Sequence, residues 1–101
     1  MWPTSEKTIT LLAQKQAGDD DAWNQLLDRH RKSLHRMVQL RLDRRIRQRV
    51  DVSDVLQDVM IEANRRIDRY LDNPIMDFHL WIRQIAKDRI IDAHRRHRVT
   101  K

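Results

Sequence analysis

The chain has 101 residues with one Gly, two Pro and no Cys, and its formal charge is +6. That length allows one small domain and excludes two, while the missing Cys excludes disulfides and thiolate metal sites. No secretory signal is visible and no apolar run approaches the roughly 20 residues of a membrane span, so a cytoplasmic protein with a polyanionic partner is expected, nucleic acid before an anionic membrane surface.

Scarce Gly and Pro between long amphipathic runs predict an all-α bundle of about four helices. Met1 to Thr4 read as a lead-in, and Ser5 or Thr4 caps a first helix to about Ala17 with apolar positions Ile9, Leu12 and Ala13. Gly18 follows where a helix ends in a left-handed residue. Asp19, Asp20 and Asp21 then supply a cap and first-turn charge for a second helix. Its stripe is Trp23, Leu26, Leu27, Leu34, Met37, Val38 and Leu42, with His30 on the edge. From Arg29 to Arg49 there are nine Lys or Arg against one acid, Asp43. Such a run is either a solvated face or a surface turned to nucleic acid or to an acidic neighbour. The pattern bends or breaks near Leu42 to Arg44, and Ile46 and Val50 resume it.

Asp51 caps a third helix from about Val52 to Leu71. At about 100° per residue, Val52, Val55, Leu56, Val59, Met60, Ala63, Ile67 and Tyr70 share a core arc. The opposite arc carries Asp54, Gln57, Asp58, Asn64, Arg65 and Asp68, with Ile61 at its centre. Four acids and no Lys or Arg lie between Asp51 and Asn64, an unusual stretch in a basic protein. An acidic face with an apolar centre is suited to docking a partner, although a lone surface Ile is also common. Asn73-Pro74 stops this helix. Asp77 then caps a last one from Phe78 to about Arg98, with Phe78, Trp81, Ile82, Ile85, Ala86, Ile90 and Ala93 inward.

Arg83, Lys87, His94 and Arg98 line up on another side of that helix, and Arg95, Arg96 and His97 crowd its end. The helix dipole accounts for terminal cations, but not for Arg83 and Lys87 in the first turns. A phosphate-contacting ridge accounts for both. No Gly-rich phosphate loop, His-Glu-x-x-His motif, Cys-His cluster or nucleophile elbow is present, and Asp54 with Asp58 lacks a third metal ligand. Neither catalysis nor a cofactor is expected.

Two of these stretches carry a family resemblance. Asp51 to Ala63, Asp-Val-Ser-Asp-Val-Leu-Gln-Asp-Val-Met-Ile-Glu-Ala, resembles region 2.2 of bacterial sigma factors, Asp-x-Glu-Asp followed by two hydrophobic residues and Gln-Glu. Phe78 to Arg96 is similar to the Phe-x-x-Trp-Leu-x-x-Ile-Ala-x-Asn-x-x-x-Asp-x-x-Arg-Arg run of regions 2.3 and 2.4. Asp20 to Leu27 and the basic helix after it resemble region 2.1. The short intervening loop matches the extracytoplasmic-function (ECF) subgroup.

The resemblance implies a transcription initiation domain. It would bind core RNA polymerase through the clamp helices of the largest subunit and take the promoter −10 element as single-stranded non-template DNA. Asp54, Gln57, Asp58 and Ile61 would face polymerase, and Arg83, Lys87, Asp88, Arg89, His94, Arg95, Arg96 and Arg98 would lie towards DNA. The flipped base would sit near the loop Asn73 to Asp77. Asp88 stands where the family pattern has Asn and cannot donate a hydrogen bond unless protonated, so it would pair with Lys87 or Arg95 or alter promoter preference. Anti-sigma partners are common in the family, but nothing in the chain identifies one. Members usually carry a second helix-turn-helix domain that reads the −35 element. Residues 1–101 are expected to form region 2 alone, either excised from a longer protein or acting by itself. The rival readings are a basic RNA-binding or architectural DNA-binding module without a polymerase role, and an interaction-only domain.

Overall fold

Aspartates stand at the start of four of the five helices in the computed structural model, which describes residues 2–3 and 5–97. The helices are α1 Ser5–Gln16, α2 Asp20–Arg41, α3 Arg44–Arg47, α4 Val52–Asp72 and α5 Phe78–Arg96. No strand occurs among the described residues; Thr4 and Arg98, a cap and a DNA residue expected from sequence, lie outside them.

Local chemistry sets the turns. Gly18 has φ 102°; its N–H donates to the Lys15 carbonyl at 2.9 Å, and the Asp19 N–H reaches Gln14 at 3.0 Å. This pair of bonds closes a helix around a left-handed residue that only Gly adopts without strain. Asp19 then turns the chain into α2, its Oδ1 accepting from the Asp21 and Ala22 N–H groups at 3.0 and 3.2 Å. The break expected near Leu42 is a short corner. Leu42 is extended and buried, and Asp43 Oδ1 accepts from the Arg45 N–H at 2.8 Å to start the one-turn α3. Asp51 accepts from the Ser53 N–H at 3.0 Å and launches α4. Asp77 departs from expectation. Its side chain makes no cap bond; only its main-chain carbonyl receives the Leu80 and Trp81 N–H groups, each at 3.0 Å. The carboxylate instead acts on the Tyr70 phenol, whose pKa is raised by burial first and by the Asp77 charge second.

The stripes of α2, α4 and α5 meet as expected, in one aliphatic core that includes Leu26, Leu34, Val38, Val59, Ile67 and Ile82. On α1 the phase is shifted. Thr8 and Leu11 are buried, whereas Ile9 and Ala13 are exposed beside the loop before α5. Leu11 and Leu12 are consecutive, and periodicity in so short a helix cannot choose between them. Aromatics close the end of the core around Phe78, whose ring centroid lies 4.9 Å from His30, 5.5 Å from Trp81, 6.0 Å from Tyr70 and 6.2 Å from Trp23.

His30 is fully buried rather than on an edge. Its Nδ1–H donates to the Leu26 carbonyl at 2.9 Å, which leaves Nε2 buried as a bare acceptor without a partner. A second ring proton would find no acceptor there. Burial accordingly holds the His30 pKa below its usual 6.5, opposed by the Leu26 bond and assisted by the charges of Arg29 and His79. The fold therefore prefers neutral His30. Its contribution is full above the unfolded-state pKa near 6.5 and is lost as the pH falls from there through the lowered folded value. Urea denaturation should show stability falling below that pH, by at most about 1.4 kcal/mol per unit from this group. His30→Leu should flatten the loss. A His30→Leu profile as steep as wild type would place the titration elsewhere.

Candidate functional site

The acidic arc of α4 is a local consequence of helical spacing, and the structure keeps it in solvent. Asp54, Gln57 and Asp58 are exposed, and Ile61 among them keeps 54% of its surface. Glu62, at the edge of this arc, is shared by Arg65 at 3.7 Å and Arg66 at 3.5 Å, so charge reverses sign within one turn along α4. Asn64 is not free surface, because its Oδ1 accepts the Trp23 indole N–H at 3.0 Å and fastens α4 to α2. Asp58 reaches the far end of α5, 3.9 Å from Arg96. The acidic and basic faces therefore touch at that point.

The residues expected to form one DNA ridge on α5 point three ways. Lys87, Asp88 and Arg95 are exposed on the outward arc, with Leu80 and Ile91. Arg83 and His94 lean towards α2: the Arg83 guanidinium stacks over the Trp2 ring at 5.2 Å, and His94 Nε2 accepts the Asp43 N–H at 3.0 Å. Arg89 turns towards the core margin, and Arg96, though exposed, towards Asp58 of α4. Arg89 is half-buried with its Nε enclosed and without a partner, and Arg96 pairs with Asp92 at 3.2 Å besides Asp58. Asp88 pairs with neither Lys87 nor Arg95 within ion-pair distance among the described residues. No group of three His, Cys, Asp or Glu residues that could hold a metal occurs among the described residues.

The loop Asn73 to Asp77 separates two concavities. Towards α1 lies a cleft of about 530 Å³ whose walls include Ile9, Leu12, Ile75 and His79. Towards α4 and α5 lies a pocket of about 380 Å³ formed by Arg66, Arg69, Tyr70, Asn73, Trp81 and Gln84, with Ile75 and Met76 from the loop. Tyr70 and Trp81 stack at 4.8 Å with 34° between their planes, and the Tyr70 hydroxyl donates to the Met76 carbonyl at 2.6 Å, tying the loop to α4. Ile75 stays 73% exposed at the rim. The half-buried Trp81 ring beside two arginines suits an unstacked base and its phosphates. Arg66, Arg69 and the aromatic walls were not expected as site residues. Their signal was faint: an i, i+3 arginine pair one turn before Asn73-Pro74, and two aromatics whose periodicity read as core.

The scaffold is small and all-helical among the described residues, with an acidic arc and a basic, aromatic-walled pocket on the same long helix. The family follows from comparison: sigma-70 region 2 matches residues 26–100, so the chain belongs to that family. It is similar to the ECF RNA polymerase sigma factor SigM of Mycobacterium tuberculosis strains Erdman and H37Rv, 34% identical over 86 residues in each. That match covers 85% of this chain and 41% of the relative, so the chain spans less than half the length of the relatives it matches. No solved structure matches the chain significantly. No helix among the described residues is long and apolar enough to cross a membrane.

Proposed function

We propose that this domain acts in transcription initiation as the part of an ECF-type sigma factor that joins core RNA polymerase to the −10 element. Asp54, Gln57, Asp58 and Ile61 meet the clamp helices of the largest subunit. The pocket between α4, α5 and the loop takes a base from the single-stranded non-template strand, and Lys87 and Arg95 hold phosphates further along α5. The observation that carries this reading is the division of α4. Its first half exposes acids around Ile61, and its second half presents Arg66, Arg69 and Tyr70 to the pocket. One rigid helix thus couples polymerase docking to capture of a base that has left the stack, and stacking on the half-buried Trp81, backed by Tyr70, offsets part of the unstacking cost. A cytoplasmic location and the absence of catalysis by the domain itself follow from this role.

The test measures affinity of the polymerase-bound protein for a single-stranded −10 oligonucleotide across a salt series. The double variant Lys87→Ala with Arg95→Ala should lower the slope of log K against log salt by roughly 1.4, at about 0.7 per phosphate contact. An unchanged slope removes both residues from the DNA path. Tight binding of bare duplex without polymerase would favour the rival reading of a general basic module.

A further inference from the structure

Five of the nine residues from Arg41 to Arg49, at the end of α2 and through α3, are arginines, and all five are exposed. None of them lies within ion-pair distance of a carboxylate among the described residues. Asp43, the one acid of the segment, caps the Arg45 N–H at 2.8 Å. Two contacts make this corner continuous with α5. The Asp43 N–H donates to His94 Nε2 at 3.0 Å, and a hollow of about 230 Å³ is lined by Arg36 and Arg41 of α2 together with Arg83 of α5. His94 and Arg83 stand on the flank of α5 that faces α2, whereas Trp81 and Gln84 line the pocket beside α4. The corner and the pocket therefore flank the outward arc of α5 from opposite sides.

The chemistry of the segment selects a polyanion with a regular backbone. Guanidinium forks hold phosphate oxygens two at a time. Leu42 and Ile46 are buried, so from Arg41 to Arg49 no aliphatic side chain is offered to a partner helix, and Leu40, exposed just before, is a single contact. No aromatic or imidazole ring lies in that span, so unpaired bases would find phosphate partners without a stacking platform. The two rings nearby are engaged: Trp2 carries the Arg83 guanidinium at 5.2 Å, and His94 holds the Asp43 N–H. Double-stranded DNA needs neither kind of contact, because its bases stack on each other and it carries one phosphate charge per about 1.7 Å of axis.

We propose that the α2–α3 corner, through Arg41, Arg44 and Arg45, grips the phosphate backbone of the double-stranded DNA that adjoins the melted segment. This rests on the base-capture role proposed for the pocket beside Trp81. The pocket holds one unpaired strand on the α4 side of α5, and the duplex crosses to the α2 side. From Trp81 to His94, α5 covers about 20 Å at about 1.5 Å per residue. That is roughly six base pairs at about 3.4 Å of rise each. A few phosphate contacts alone hold duplex only weakly at physiological salt. They add to binding when the single strand is held at the same time, as linked contacts do generally. The corner thus favours a junction over either form of DNA alone.

The test uses the polymerase-bound protein and fluorescein-labelled DNA, read by anisotropy across a salt series. The probes are the single-stranded −10 oligonucleotide and two forks, which extend it by about 12 base pairs of duplex, just over a helical turn, on the 5′ or the 3′ side. One fork should bind about tenfold more tightly than the strand alone, and the gain should vanish when its duplex is cut to about three base pairs. Arg41→Ala with Arg44→Ala and Arg45→Ala should remove the gain and lower the fork's slope of log K against log salt by roughly 2.7, at about 0.9 per phosphate contact. The slope on the single strand and the melting temperature should stay as in wild type, since all three side chains are exposed and unpaired. Equal binding of the strand and both forks overturns the proposal, as does an unchanged fork slope in the triple variant. An equal loss on the single strand also overturns it, by placing the corner in the single-strand path. So does a loss of polymerase binding without DNA, which would make the corner a docking surface. The base-capture reading is decided separately, by Lys87→Ala with Arg95→Ala on the single strand. If that reading falls, a fork gain abolished by the triple variant still places duplex on the corner.

Discussion

Ile61→Arg should weaken binding to core polymerase by about 30-fold or more, the loss expected at an interface hot spot worth about 2 kcal/mol, while the domain stays folded. Ile61 is 54% exposed, so little buried apolar area is lost on replacement. An Arg at this position stands one turn from Asp58 on one side and from Arg65 on the other, and the two i, i+3 and i, i+4 effects oppose each other at a few tenths of a kcal/mol. Unfolding free energy should therefore move by no more than about 0.5 kcal/mol. Charge reversal at Asp58 is a poorer probe, because it would set a cation beside Arg96, now 3.9 Å away, and disturb the end of α5. Asp54→Arg avoids that contact and should act with Ile61→Arg. Polymerase affinity by anisotropy and urea denaturation by circular dichroism are the paired measurements. An Ile61→Arg protein that binds polymerase like wild type, or that binds less only because it is less stable, would defeat the assignment.

How much of this was legible depends on whether a feature lies on one element or between several. The core stripes of α2, α4 and α5 belong to single long helices with an unambiguous 3.6-residue period. The acidic arc is equally local, and Asp54, Gln57, Asp58 and Ile61 are exposed together as spacing required. The one-turn α3 escaped separate notice because Arg44–Arg47 contains a single apolar residue, too little for a period to register. The depth of His30, the bond from Trp23 to Asn64 and the stack of Arg83 on Trp2 join residues far apart in sequence, and no helical wheel contains them. The α5 ridge is an instructive intermediate. Arg89 lies seven residues from the buried Ile82 and so falls within about 20° of it on the wheel, at the core margin rather than on the outward arc. Reading the basic residues as one ridge passed over that angle. The pocket beside Trp81 was the least legible, since it exists only where α4, the loop and α5 converge.

Phe78→Ala should have the largest effect on the fold itself. Phe78 is 2% exposed and packs against Trp23, His30, Tyr70 and Trp81, residues of three different helices. Removing a buried Phe costs about 3–5 kcal/mol from lost burial and the cavity left behind. Edge-to-face aromatic pairs add about 0.5–1.5 kcal/mol each beyond area, so the upper part of that range applies here. Small domains have about 5–15 kcal/mol in total, and the variant should be largely unfolded near the lower end of that span. Phe78→Leu keeps most of the volume and should fold, but it withdraws the ring on which Trp81 and Tyr70 rest. Its signature is therefore functional: near-native circular dichroism, with weaker capture of a single-stranded −10 oligonucleotide as the pocket wall loses its fixed orientation. Polymerase binding should be spared, because the acidic arc lies on the first half of α4, away from this aromatic cluster. Urea denaturation of Phe78→Ala and oligonucleotide affinity of Phe78→Leu decide the matter. A loss below about 1 kcal/mol in the first, within the range of an ordinary substitution, would mean that Phe78 is not the hub of the core. Unchanged affinity in the second would separate the pocket from the DNA path.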